Sequence, residues 1–328
     1  MSKQYPVLDV RSPSEYAAGH IPGAHNLALF TDEERAIVGT AYKQVSRENA
    51  VNKGLEIFGP KMRLLADTAK KNHPGQKTFL VHCWRGGMRS GTVAWLLELY
   101  GYKVYLLRGG YKAFRRSALE SFNKEVKINI LGGRTGSGKT MILKELGRHG
   151  EQVIDLEGLA HHKGSSFGSL GEKPQPTQEM FENKLFMELN ALDNNRTVWI
   201  EDESNMIGTK VIPQSFFLRM RSSPVYFLDI PFETRLDYLT QEYGKFSTEE
   251  LKNAIERITK KIGGQHAKAA LEAIDAGDFK TAFGICLAYY DKTYEYGKNK
   301  RVAESIVNCP FSILNLEQIV AAVIKVSR

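Results

Sequence analysis

Short apolar runs alternate with amphipathic stretches along most of this chain, and the alternation starts twice. Tyr5–Val10 and Lys77–His82 read as strands, the second running straight into Cys83. Val93, Leu96, Leu97 and Tyr100 recur at i, i+3, i+4 and i+7, which predicts a helix from Arg89 to Tyr100 stopped by Gly101. Lys103–Leu107 is a further strand, closed by Arg108-Gly109-Gly110. The polar stretch Ser117–Glu125 reads as a connection, after which strand Lys127–Leu131, the glycine-rich loop Gly132–Gly138 and helix Lys139–Arg148 follow in order. Strands are predicted at Gln152–Leu156, Thr197–Glu201 and Val225–Ile230, with helical stretches between them. Ser247 and Glu250 form a capping box that opens a helix over Thr248–Ile262, and the last hundred residues read as mainly helical, ending in Leu316–Val326. Strands alternating with helices predict the α/β class with parallel sheets covered on both faces. A length of 328 residues accommodates two such domains, placed at 1–120 and 121–328.

Composition narrows the class. A hydrophobic share of 42% with 25% charged residues excludes a disordered or membrane-embedded chain, and no apolar run approaches the roughly 20 residues of a bilayer span. No secretory leader is visible, and the three cysteines (Cys83, Cys286 and Cys309) make no disulfide framework, so a cytoplasmic location is expected. The net charge of +8 is unevenly placed. Residues 1–120 hold 18 basic and 10 acidic side chains, whereas 121–328 hold 27 of each. A surplus confined to the first third either attracts a polyanion or is an ordinary solvated surface.

Cys83 stands out in chemical terms. His82-Cys83-Trp84-Arg85-Gly86-Gly87-Met88-Arg89-Ser90 puts a cysteine between a strand end and a helix start. The two glycines allow successive N–H groups to turn inward as an anion-binding nest, and Arg85 and Arg89 with the helix dipole add positive potential. Such surroundings favour thiolate over thiol and predict a reactive nucleophile. A strand-end cysteine is more often inert packing, but two arginines and two glycines in the next six residues weigh against that here. Cys286 and Cys309 lack these neighbours and read as packing residues. His82 precedes Cys83 on a strand and points to the other face, so it is not assigned as a base.

The second chemical signal is Gly133-Arg134-Thr135-Gly136-Ser137-Gly138-Lys139-Thr140, which matches GxxxxGK[ST] between a strand and a helix. Backbone N–H groups there cradle phosphate oxygens, Lys139 supplies a charge, and Thr140 can reach Mg²⁺. The acid that completes a metal site is less defined: Glu201, Asp202 and Glu203 are preferred over Asp155 and Asp229, which also end strands. The polar run His161-His162-Lys163-Gly164-Ser165-Ser166, followed by Pro174–Gln178, suits phosphate or RNA backbone, or is an ordinary surface loop. Adjacent histidines share no helix face and lack cysteine or acid at ligand spacing, so zinc is not assigned there, while Mg²⁺ beside the P-loop stays open.

These residues also carry family resemblances. Asp9-Val10-Arg11-Ser12, Gly19–Ala24, the Cys83 loop and Leu107–Gly110 resemble a rhodanese domain over roughly the first 115 residues, with Asp9 and Arg11 expected to pair. Joined to the P-loop, His162–Gly168 and Glu201–Ser204, the whole pattern resembles the tRNA 2-selenouridine synthase family. The resemblance implies a rhodanese-like α/β domain followed by a P-loop NTPase-like parallel-sheet domain with C-terminal helices. It implies a transferase that replaces sulfur by selenium in wobble-position 2-thiouridine of tRNA. Selenophosphate would be the donor, an S-geranyl intermediate would be made from geranyl diphosphate, and Cys83 would carry the selenium chemistry. The implied partner is the anticodon region of tRNA, with neither DNA nor membrane, and no cofactor is certain. Lys103, Arg108, Lys112, Arg115 and Arg116, interleaved with Tyr102, Tyr105, Tyr111 and Phe114, are a candidate RNA surface, or else the rim of the first fold. Two other readings stay open: a sulfurtransferase fused to a small-molecule kinase, and a non-catalytic tRNA- or nucleotide-binding regulator.

Overall fold

A computed structural model describes residues 4–298 and 305–327, and its backbone divides into two compact units. The first comprises residues 1–121 together with 182–187, and the second holds the remainder. No helix among the described residues is long and apolar enough to cross a membrane.

In the first unit the order is β1 (Val7–Asp9), α1 (Pro13–Ala18), β2 (Ala24–Asn26), α2 (Asp32–Gln44), α3 (Arg47–Phe58), a 3₁₀ turn at Gly59–Lys61, α4 (Met62–Asn72), β3 (Thr78–His82), α5 (Met88–Leu99), β4 (Lys103–Leu106) and α6 (Gly110–Ser121). The four strands pair in parallel in the order β2-β1-β3-β4. Alternation along each strand feeds two cores. Leu8, Phe79 and Val81 pack with Val93, Leu96 and Leu97 of α5, while Val7 and Leu80 pack with Ile21 and Tyr111. The stretch expected to connect the domains is instead largely α6, whose Tyr111 and Ala118 are fully buried on one face. Its polar residues are the solvated face of an amphipathic helix.

The second unit holds β5 (Ile128–Gly133), α7 (Lys139–Arg148), β6 (Gln152–Ile154), α8 (Leu156–Ala160), most of α9 (Gln178–Ala191), β7 (Val198–Glu201), a short hairpin of β8 (Met206–Ile207) and β9 (Lys210–Val211), α10 (Gln214–Ser222) and β10 (Val225–Asp229). It continues through α11 (Phe232–Tyr243), α12 (Thr248–Glu256), α13 (Thr259–Ile262), α14 (Gly264–Asp275), α15 (Phe279–Lys298), β11 (Ile306–Pro310) and α16 (Leu316–Ser327). Its main sheet is parallel in the order β11-β10-β5-β7-β6, with the phosphate-loop strand at the centre. The predicted α/β class holds for both units. The capping box at Ser247 forms as expected, but the helix it opens breaks after Glu256 and resumes as α13. A strand, β11, interrupts the expected helical C-terminus, and the part of that expectation falling on 299–304 lies outside the described residues.

Candidate functional site

Cys83 sits at the end of β3, only 4% exposed, with its Sγ 3.3 Å from the Ser90 hydroxyl in the first turn of α5. Ser90 Oγ lies 3.0 Å from the Gly87 carbonyl and can donate to it or to the sulfur. Burial alone pushes the thiol up, but the Ser90 hydroxyl and the N–H groups of Ser90, Gly87 and Arg85 outweigh it, leaving the pKa below the ordinary thiol value. Of the expected sources, the inward N–H groups contribute, whereas arginine charge is not among the main causes. The Arg89 Nη1 is 2.6 Å from Glu15 Oε2, so its charge is matched by a carboxylate, and Arg85, Trp84 and Met88 are exposed. Hydrogen bonds to sulfur, rather than arginine charge, hold the thiol down. Sequence reading passed over Ser90; its signal was a hydroxyl two residues into a helix that starts at the nucleophile's loop. Ser90→Ala removes one such bond and so shifts the midpoint of Cys83 alkylation by iodoacetamide upward.

The loop is braced from behind. Gly110 adopts φ +59, where a Cβ would collide with the Cys83 carbonyl, and Gly86 adopts φ +70 against the Leu107 carbonyl. The Tyr111 and Lys112 N–H groups donate to the Cys83 and Trp84 carbonyls at 2.9 and 2.8 Å, so the first turn of α6 closes the cradle. Asp9 and Arg11 pair as expected at 2.6 Å, both fully buried, with Arg11 also bonded to the Gly19 carbonyl and its guanidinium 3.9 Å from the Tyr111 ring centroid. His82 is fully buried, with Nε2 3.8 Å from Asp9, and burial lowers its proton affinity. The interleaved aromatic group is not a stacking surface. Tyr111 is buried, Phe114 packs on Tyr111 and Phe186, Tyr102 packs on Phe79, and Arg115 binds Glu182 and Asn183.

In the second unit, Gly136 (φ +81) and Gly138 (φ +74) shape the turn between β5 and α7, and Lys139 Nζ folds back to the Gly133 carbonyl at 3.0 Å. Ser137 is buried with its hydroxyl unpartnered. Side chains of α11 and α15 set the loop backbone. Tyr294 accepts from Gly133 N–H at 3.0 Å and donates to Asp202, while Arg235, ion-paired with Asp291, donates to the Thr135 carbonyl. Arg134 turns to Asp229 and Glu295, both at 3.0 Å, so its charge is spent on carboxylates.

The acids separate by direction. Glu201 and Glu203 converge with Glu157 of α8, their oxygens within 4.8 Å of one another, and Thr140 Oγ1 donates to Glu157 at 2.7 Å and Glu201 at 3.3 Å. Asp202 faces Tyr294 and Arg221 instead. Asp155 caps α8 through Gly158 N–H, and Asp229 answers Arg134, which gives both alternative acids a structural role. Burial first, and the neighbouring carboxylates second, push Glu201 and Glu203 well above the usual range. Oxygen donors around a threonine hydroxyl suit a hard dication such as Mg²⁺. Glu157 was not singled out in the sequence, because nothing in the spacing shows that α8 folds back onto β7.

The polar run after α8 reaches the same cluster. A Cβ at Gly164 (φ +66) would lie 2.9 Å from Glu203 and 3.1 Å from Glu157. Lys163 pairs with Glu242, Ser165 N–H donates to the Lys163 carbonyl, and Ser166 is held by Tyr290 and the Ala254 carbonyl. His162 Nδ1 is buried without a partner, whereas His161 contacts the Pro174 carbonyl. P-loop, acid cluster and polar run together line a cavity of about 1040 Å³, wholly within the second unit.

Comparison with known proteins now places the chain. A family model described as "tRNA 2-selenouridine synthase AAA domain" matches residues 126–310, and a rhodanese-like domain model matches residues 1–117. A tRNA 2-selenouridine synthase from Hydrogenovibrio crunogenus is 35% identical, the match covering 91% of each chain. One from a Sulfurovum species is 36% identical over 89% of this chain and 88% of its own. One from Bdellovibrio bacteriovorus is 42% identical over 73% of this chain and 64% of its own. On the cysteine loop, the phosphate loop and these matches, the chain belongs to the tRNA 2-selenouridine synthase family.

Proposed function

We propose that this enzyme exchanges sulfur for selenium at the wobble 2-thiouridine of tRNA, through an S-geranyl intermediate, with selenophosphate as the selenium source. The observation that carries the proposal is the presence in one chain of a thiol held low by hydrogen bonds and a P-loop opening on a large cavity. In the first step the thiocarbonyl sulfur attacks C1 of geranyl diphosphate; an S–C bond forms, the C–O bond breaks, and diphosphate leaves. The P-loop N–H groups and Lys139 take up the charge that develops on that leaving group. Thr140, Glu157, Glu201 and Glu203 would hold Mg²⁺, which when bound offsets diphosphate charge. In the second step the C–S bond to the geranylthiol breaks at the same ring carbon, a C–Se bond to selenophosphate forms there, and water cleaves the Se–P bond to release phosphate. Cys83 is the nucleophile of that exchange: its thiolate, in the cradle of Arg85, Gly87 and Ser90 N–H groups, adds to the ring carbon and expels the geranylthiol, and is itself then expelled by the selenium of selenophosphate. The family's tRNA substrate and the free state of all three cysteines support a reducing, cytoplasmic setting.

The test incubates the purified protein with 2-thiouridine tRNA, geranyl diphosphate and selenophosphate, and digests the RNA for mass spectrometry. Geranylated and selenium-containing nucleosides are expected. Their absence, together with brisk hydrolysis of ATP alone, would instead establish a sulfurtransferase–kinase fusion.

A further inference from the structure

The cavity is larger than a diphosphate needs. The Thr135–Thr140 wall and the acid cluster serve the diphosphate of the donor, and lining residues extend further, to α11, the Arg257–Ile258 turn, α13 and α15. That additional wall has a distinct chemistry. Arg257 lies in the break after α12 and Lys261 in α13, both line the cavity, and among the described residues neither has an ion-pair partner. Other cations near the loop are matched: Lys163 by Glu242, Arg134 by Asp229 and Glu295, and Arg235 by Asp291. Arg257 Nη2 donates to the Ser166 carbonyl at 2.9 Å, which holds its guanidinium toward the polar run. Beside these cations stands an aromatic pair, Tyr289 and Tyr290, with ring centroids 5.5 Å apart and planes at 64°. Tyr290 is fixed through its hydroxyl by Ser166 N–H, whereas the Tyr289 side chain is half-buried and free of hydrogen bonds among the described residues.

Two cations without an ion-pair partner among the described residues, beside a half-buried tyrosine ring that packs on the helical core and lines the cavity, are what a nucleotide requires: phosphate contact from the first, base stacking from the second. We infer that the cavity admits one nucleotide of the RNA substrate, its base against Tyr289 and its backbone phosphate against Arg257 and Lys261. The inference rests on the proposed function for the identity of the RNA. It adds that the target base leaves its stack and enters the P-loop cavity, where the donor's diphosphate is held. A single-stranded anticodon loop allows this at low cost, because its bases are already partly unstacked. No atom changes hands in this binding step.

Binding of an anticodon stem-loop carrying 2-thiouridine, followed by fluorescence anisotropy on the full chain, separates the possibilities. Tyr289→Ala should weaken binding about tenfold, while Tyr289→Phe, which keeps the ring, should stay within about twofold of wild type. Arg257→Glu with Lys261→Glu should weaken it further and reduce the salt slope by about 2, as expected for two lost phosphate contacts. Inorganic diphosphate, measured by calorimetry, should bind both Tyr289 variants as it binds wild type. Near-ultraviolet crosslinking through the thiocarbonyl should attach the RNA to the peptide containing Tyr289. Stem-loop affinity unchanged in both Tyr289→Ala and the charge-reversal pair, or crosslinks confined to the Cys83 loop, would overturn the inference. Failure of the proposed chemistry is seen separately, as absence of geranyl and selenium nucleosides from wild-type reactions whatever the binding result.

Discussion

Cys83→Ala should abolish selenium incorporation, with a loss of at least about a thousandfold, while tRNA binding and geranylation continue. The expectation follows from the loop's construction. Three N–H groups and the Ser90 hydroxyl converge on a single sulfur atom, and no other cysteine offers an equivalent. Burial pushes the Cys286 thiol up to about 12, and raises Cys309 as well, so neither is a thiolate at neutral pH. The S-geranyl nucleoside should therefore accumulate in digests from the variant. Removing one sulfur from a core position costs about 1–2 kcal/mol, so the protein should remain folded, which its melting curve will report. Selenium nucleoside formed at an undiminished rate would remove Cys83 from the mechanism.

Lys139→Ala should have the complementary phenotype. Geranylation should fall about 10²- to 10³-fold, the usual consequence of deleting a donor to a developing anion. Lys139 opens α7 and reaches the Gly133 carbonyl across the loop. If the two units serve successive steps, supplying tRNA that already carries the S-geranyl group restores selenium incorporation in this variant but not in Cys83→Ala. Equal loss of geranylation in both variants would show that the steps are not divided in this way.

Local chemistry made some features of this chain legible and hid others. The bounds of α7 were readable because Gly138 in the left-handed region starts it and Gly150 ends it, both signals carried by single residues. The pairing of Asp9 with Arg11 was likewise local. By contrast, α6 read as a connection because its buried residues are few and its polar ones many. Strand β11 carries Asn308 and ends in Pro310, so it has no clear apolar signature; its strand character comes from pairing with β10. The break between α12 and α13 falls at Arg257-Ile258, with neither glycine nor proline to announce it. Convergence was hardest to see. Glu157 meets Glu201 across 44 positions of sequence, and Tyr294 meets Gly133 across 161. Spacing in a sequence reports neighbours along an element, whereas these contacts arise from how elements stack.

The edge strand β11 has a consequence for the order of events during synthesis. Its partner β10 is complete by residue 229, yet Ile306–Pro310 emerges from the ribosome some eighty residues later, after the whole α11–α15 segment. Leu314 and α16 then cover the core beneath α7, where Ile319, Val320 and Val323 are fully buried beside Ile142 and Leu143. Until that last stretch arrives, the helix that follows the phosphate loop has an uncovered apolar flank. The nascent chain thus passes through a late interval in which its phosphate grip is built but unsupported, an interval in which chaperone contact would matter most.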